Sequence, residues 1–198
     1  MPSSNVPPMS RRAFSRSLCG APFFALPAGG ARTAAGPWDE PAQVAKVYLT
    51  GPTIHLPCTT VDVRSEVAEL DRLLEELSRR HPEVRFTGGR ILTRADEIEP
   101  WAKTLADADA LLIVPVTAPG LAAAPVLAAA NLPALCFCRH HASHMWSGIA
   151  RLRDARHKVD VVAAHSVDAL APWTAIFRTI RHMRRSKVLV VAPNRTGS

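Results

Sequence analysis

Residues 110–138, ALLIVPVTAPGLAAAPVLAAANLPALCFC, contain the pattern that decides the fold of this chain. Two almost entirely apolar runs, residues 110–116 and 134–138, flank an alanine-rich stretch at residues 121–130. Apolar runs of this kind are typical of strands that are buried on both faces of a parallel sheet. A helix between two such strands is the βαβ unit, so this stretch predicts an α/β protein.

The same alternation of strands and helices extends to both sides of this unit. Strands are predicted at residues 46–50, 84–86, 110–116, 134–138, 159–163 and 187–191. Helices are predicted at residues 63–80, 97–106, 121–130, about 143–155 and 168–185. We therefore expect a three-layer, flavodoxin- or Rossmann-like parallel sheet of about six strands, in the order 2-1-3-4-5-6, with helices on both faces.

The positive charge of the chain is concentrated at its N-terminus. The 198 residues include 24 Lys and Arg against 17 Asp and Glu, but four of the arginines fall in the first 36 residues, which contain no acid. The last predicted helix carries Arg178, Arg181, Arg184 and Arg185, which we expect on its solvated face. With little net charge elsewhere and a single tyrosine, a nucleic-acid binder is disfavoured. The longest apolar stretch, residues 120–138, is interrupted by prolines, so no membrane span is predicted.

The first 36 residues have the basic start, weakly apolar middle and small-residue tail of an export signal. Arg11 and Arg12, followed by Phe14, resemble the twin-arginine motif, which a translocase reads as an address. We predict a signal peptide at residues 1–36, a linker at residues 37–44, and export to the periplasm or cell envelope by the twin-arginine translocase. The alternative is a disordered basic tail on a cytoplasmic protein.

Polar loops follow the predicted strands at their carboxyl ends, which is the edge at which open α/β sheets bind ligands. Because these loops converge, their polar residues are the predicted site for a sugar, polyol or other small polar ligand. The predicted ligand-binding residues are Thr117, Gly120, Arg139, His140, His141 and His144.

Cysteines and histidines also lie close together around the fourth predicted strand. Thiolates and imidazoles are zinc ligands, but the C-x-C spacing of Cys136 and Cys138 inside a strand is not that of a zinc site. We predict that both cysteines are buried in the core and that this chain holds no metal. The sequence contains no P-loop, dinucleotide, serine-hydrolase or zinc-protease motif, so no catalytic residue is predicted.

Three segments together resemble the N-terminal α/β domain of the fucose/arabinose isomerase-like sugar isomerases. They are residues 106–120, 132–162 and 178–191, and the resembling domain covers residues 45–192. The resemblance implies aldose–ketose interconversion in an oligomer, at a divalent-metal site that is usually occupied by Mn²⁺. In that family later domains contribute the metal ligands, so a manganese cofactor is expected here only with a C-terminal catalytic domain. Residues 193–198 are then a truncated tail.

Three interpretations of the function follow. The first is an exported fragment or relative of a sugar isomerase, which does not catalyse isomerisation alone. The second is a stand-alone extracytoplasmic domain that binds a sugar or another small polar ligand. The third is a small enzyme that uses histidine and cysteine at the sheet edge.

Overall fold

The computed structural model describes residues 40–51, 61–117, 122–139, 142 and 145–187. Within these ranges the chain forms a five-stranded parallel sheet in the order β2-β1-β3-β4-β5. The strands are β1 (Ala42–Leu49), β2 (Val84–Leu92), β3 (Ala110–Pro115), β4 (Ala134–Cys138) and β5 (Val159–Ala163). The predicted α/β class and the predicted order of these five strands are confirmed.

Helices cover both faces of this sheet. They are α1 (Val63–Arg80), α2 (Ile98–Ala102), α3 (Ala123–Ala130), α4 (Trp146–Asp154) and α5 (Ala171–Arg185). Successive residues of a strand point to opposite faces, so β1 contributes to two cores. Tyr48 belongs to the apolar cluster under α1 and α5, and Val47 belongs to the cluster under α2, α3 and α4.

The ends of α1 follow from its local sequence. Asp62 accepts hydrogen bonds from the backbone N–H groups of Arg64 and Ser65, which caps the first turn. Arg79 and Arg80 place positive charge in the last turn, where the helix dipole favours it, and the helix ends before Pro82. The boundaries predicted for this helix are confirmed.

Several other predicted boundaries are wrong. β1 begins at Ala42, within the predicted linker, because the Ala42 N–H already donates to the Glu83 carbonyl at 2.9 Å. β2 continues to Leu92 rather than ending at residue 86. The register shifts between Lys46 and Val47, so Gly89 is an unpaired bulge residue that lets the ladder continue beyond it.

The helical boundaries also differ from the predictions. The helix expected at residues 97–106 is α2, which is only five residues long and follows a 3-10 turn at Ala95–Glu97. The helix expected from residue 168 starts as a 3-10 turn, Val167–Leu170, and becomes α5 at Ala171. Of the sixth predicted strand, Lys187 lies in no strand, and residues 188–191 lie outside the described residues. Among the helices that the structure describes, none is long and apolar enough to cross a membrane.

Candidate functional site

At the carboxyl edge of the sheet, threonine hydroxyls form hydrogen bonds just after the ends of neighbouring strands. In the sheet, β2 lies on one side of β1 and β3 lies on the other, so the strand order reverses at the end of β1. Ligands of open α/β sheets bind at such a point. Here the Gly51 N–H donates to Thr117 Oγ1 at 2.8 Å, and Thr50 Oγ1 lies 3.2 Å from Thr93 Oγ1. Thr117 is buried, and its hydrogen bond holds the backbone at Gly51 against the end of β3.

Arg139 lies at the predicted edge, but its guanidinium is partnered. Its Nη1 donates to Glu66 Oε1 at 2.6 Å, and its Nε donates to the His165 carbonyl at 3.3 Å. The side chains of Arg139 and Glu66 are only 13% and 14% exposed. Glu66 belongs to the first turn of α1, where the helix dipole also favours a carboxylate. Arg139 therefore ties the end of β4 to the start of α1.

The remaining residues predicted for this edge cannot be placed beside Thr117 and Arg139. Gly120, His140, His141 and His144 lie outside the described residues. The signal residues Arg11, Arg12 and Phe14 lie outside them as well. In the described part of the chain, the polar groups at the carboxyl edge include threonine hydroxyls and the Arg139–Glu66 pair.

Cys136 and Cys138 are buried in the core, as predicted. Their sulfur atoms lie 3.8 Å apart on the face covered by α3 and α4. The Cys136 thiol donates a hydrogen bond to the Cys138 sulfur, which together with burial raises the pKa of Cys136 above its usual range, so this thiol stays protonated. Neither cysteine is accessible as a nucleophile, which counts against an enzyme built on this pair. In the described ranges no three His, Cys, Asp or Glu side chains are grouped to hold a metal ion.

A polar cluster that the sequence analysis did not single out lies beneath α1. Lys46 Nζ and Tyr48 Oη both donate to Asp71 Oδ1, at 2.5 Å and 2.6 Å. The Lys46 side chain is 9% exposed and Asp71 is 40% exposed, whereas Tyr48 is fully buried. Burial, and then the hydrogen bond to Asp71, raises the pKa of Tyr48 far above its usual value. The Tyr48 hydroxyl therefore stays protonated and donates.

The β2 bulge brings the backbone of the edge strand close to this cluster. Gly88 and Gly89 have φ values of 73° and 117°, which favour glycine. A Cβ on Gly89 would lie 3.5 Å from both carboxylate oxygens of Asp71 and from the Tyr48 ring. A Gly-Gly pair within a strand is the one local signal that marks such a close approach in the sequence.

A second buried ion pair lies at the opposite, amino edge of the sheet. Arg181 Nη1 donates to Asp109 Oδ2 at 2.9 Å, and Nη2 donates to Glu40. Asp109 Oδ2 also accepts the Gln43 N–H at 2.9 Å, and the Asp109 carbonyl accepts from Arg184. The prediction that Arg181 lies on the solvated face of the last helix is wrong. Its side chain points from α5 toward the sheet, is buried, and binds Asp109. This network fixes α5 to the starts of β1 and β3.

No protein-family model matches this chain, and no curated protein matches it.

Proposed function

We propose that this domain binds a small polyhydroxylated ligand, a sugar or a polyol, at the carboxyl edge of its sheet. The observation that carries the proposal is the Arg139–Glu66 pair, which is held at the end of β4, the strand next to β3, and Thr117 follows β3 at the same edge. Sugar hydroxyls both donate and accept hydrogen bonds, so a site for them needs donors and acceptors at fixed positions. The resemblance described above supports the further proposal of an exported relative of the sugar isomerases.

In the proposed site, Glu66 supplies the hydrogen-bond acceptor and Arg139 supplies the donor. Arg139 Nη1 and Glu66 Oε1 bind each other, while the second carboxylate oxygen of Glu66 accepts no hydrogen bond from the described residues and is the proposed acceptor for a ligand hydroxyl. Arg139 Nη2 lies 3.9 Å from Glu69, so it remains a donor of a charge-assisted hydrogen bond. Because both side chains are mostly buried, the pair keeps its orientation before a ligand arrives.

The proposed role of the described residues is binding without isomerisation. The resemblance assigns the manganese ligands to later domains, and within the described ranges no three His, Cys, Asp or Glu side chains are grouped to hold a metal ion. Within the proposal, isomerase chemistry belongs to a protein that also carries the family's metal-binding domain.

Thermal unfolding with a panel of aldoses, ketoses and polyols tests this proposal. A bound sugar at 100 times its Kd stabilises a protein by about 2.7 kcal/mol, so Tm should rise. The double variant Arg139→Gln/Glu66→Gln keeps side chains of similar size but loses the charges, and should lose the shift. Arg72→Gln/Glu76→Gln neutralises an exposed pair on the same helix and should keep it. An unchanged shift in the first double variant would contradict the proposed site.

Export is tested separately at the N-terminus. We expect the double variant Arg11→Lys/Arg12→Lys to remain in the cytoplasm, because the translocase recognises the arginine pair. Arg16→Lys changes a nearby arginine outside the pair and should leave export intact. Export of the double variant at the normal level would refute the twin-arginine prediction and would leave the ligand-binding proposal untouched.

A further inference from the structure

Two thiols and a thioether belong to one apolar cluster at the carboxyl end of β4. Cys136 and Cys138 are buried on the face of the sheet that α3 and α4 cover, and Cys138 is the last residue of β4. Met145 immediately precedes α4, which packs against β4, and its partly buried side chain packs against the same cluster. The fold therefore places three sulfur-bearing side chains in one cluster.

The spacing of the two thiols suits a shared metal ion better than a disulfide. Their sulfur atoms lie 3.8 Å apart. Residues two apart in a parallel strand have Cα atoms about 6.6 Å apart, close to the upper limit of about 6.8 Å for a disulfide. Two sulfur atoms 3.8 Å apart that bind one ion at about 2.3 Å each subtend an angle of about 110° at that ion. This angle is far from linear, so the ion takes at least one further ligand.

The thioether of Met145 is the further ligand in this cluster, and it specifies the metal. Zinc sites use thiolate, imidazole and carboxylate ligands, and in the part of the chain that the structure describes no three His, Cys, Asp or Glu side chains are grouped to hold an ion. Thiolates together with a thioether select a soft ion, Cu(I). The other side chains of the cluster are apolar, whereas harder ions prefer oxygen ligands.

The charge of such a site and its access route also follow from the fold. Binding replaces the two thiol protons by one Cu(I) ion, so two bonds from copper to thiolate form, two protons leave and no electron is transferred. The product carries one negative charge, which is favoured near the N-terminal, positive end of the α4 dipole at Trp146. Met145 is partly exposed, so an ion from solvent reaches it before the two buried cysteines.

We infer that Cys136, Cys138 and Met145 form a binding site for a single Cu(I) ion, on the face of the sheet that α3 and α4 cover. The site is separate from the proposed ligand site at the carboxyl edge and does not depend on it. If the three side chains served only as apolar packing, binding would require no sulfur atom at residue 145. An experiment can measure this difference.

Anaerobic titration of the reduced full chain with Cu(I), in competition with a chromogenic Cu(I) chelator, tests the inference. We expect one Cu(I) ion per chain and an absorption band of copper thiolate in the near ultraviolet. Cys138→Ala should abolish both. Met145→Leu keeps an apolar side chain of similar size but removes the thioether, so it should weaken Cu(I) binding at least about tenfold while Tm changes little.

The matched controls lie elsewhere in the chain. Cys19→Ser/Cys58→Ser removes the other two cysteines, and Met183→Leu changes an exposed methionine of α5, so both variants should bind Cu(I) as the unmodified protein does. The inference is overturned if Cu(I) does not bind, if Zn²⁺ binds more tightly, or if Cys19→Ser/Cys58→Ser loses the binding. Normal binding by Cys138→Ala or by Met145→Leu would also overturn it. Because Met145→Leu preserves the packing, it decides the matter even where Cys138→Ala does not fold.

Discussion

Two pairs of a cation and a carboxylate lie on the same face of the sheet, one enclosed and one with a half-exposed carboxylate. Arg181 and Asp109 are 2% and 6% exposed, and Asp109 is also bonded to the backbone of β1. Lys46 is equally enclosed, but its partner Asp71 is 40% exposed and borders a cavity. The first pair is enclosed by the protein, whereas the carboxylate of the second pair is open to solvent.

This difference teaches what each pair can contribute. Removing one partner of an enclosed pair leaves a charge in a medium of low dielectric constant, which strongly destabilises the fold. Removing Lys46 from the second pair lets water solvate the half-exposed Asp71, so the loss of stability is small. We therefore expect the Arg181–Asp109 pair to contribute more to the stability of the fold than the Lys46–Asp71 pair.

The largest expected effect is that of Asp109→Ala. This variant leaves the Arg181 guanidinium buried beside Glu40 alone, so the free energy of unfolding should fall by about 3–5 kcal/mol. Urea denaturation measures the loss. Glu76→Ala, which breaks an exposed pair on α1, should cost only about 0.5 kcal/mol. Equal losses in the two variants would remove the basis of the comparison.

The bulge over the open pair is tested by Gly89→Ala. Its φ of 117° is strained for alanine, so we expect a loss of about 2 kcal/mol in the free energy of unfolding. Gly148→Ala is the matched control, because a Cβ there meets nothing within 4 Å. At this helical position alanine should instead add up to about 1 kcal/mol. A stable Gly89→Ala protein would show that the close approach at the bulge is not required.

The open pair should also make the fold sensitive to alkali. The pKa of Tyr48 is raised above its ordinary value of 10.0, so its contribution to stability is complete below that value. As the pH rises above it, the unfolded chain loses the phenol proton and the folded protein keeps it, so stability falls by about 1.4 kcal/mol per pH unit. Denaturation over this range should show a weaker pH dependence in Tyr48→Phe.

Tyr48 is the single tyrosine of the chain, so its titration can also be followed directly by ultraviolet absorbance. A phenol that ionises at its ordinary pH in the folded protein would contradict its enclosure beside Asp71.

The smallest effect is expected for Lys46→Met. Methionine fills the space of the lysine stem, and the half-exposed Asp71 is solvated by water and keeps the Tyr48 hydrogen bond. The free energy of unfolding should therefore fall by only about 1 kcal/mol, as for the loss of one hydrogen bond. A loss as large as that of Asp109→Ala would show that the two pairs are equivalent and that the Lys46–Asp71 pair is structural.

The candidate site was less predictable from sequence than the fold. Thr117 and Arg139 are at the expected edge, because the carboxyl end of a parallel strand is recognisable from where its apolar run stops. The partner of Arg139 was not predictable, since Glu66 lies 73 residues earlier and belongs to a helix whose solvated face holds other carboxylates. Lys46 and Tyr48 belong to a strand whose other residues are mostly apolar, and no sequence pattern near them indicates that Asp71, in the following helix, is their partner.

The sequence by itself determined the α/β class, the order of elements and the ends of α1. Each of these depends on neighbouring residues: apolar runs for buried strands, apolar residues three and four apart for helices, and Asp62 and Pro82 at the helix ends. Only the tertiary structure decided that Arg181 is buried, that Gly89 forms a bulge and that Lys46 borders a cavity. These outcomes depend on strand register and on how helices are seated against the sheet, which bring together residues that are distant in the chain.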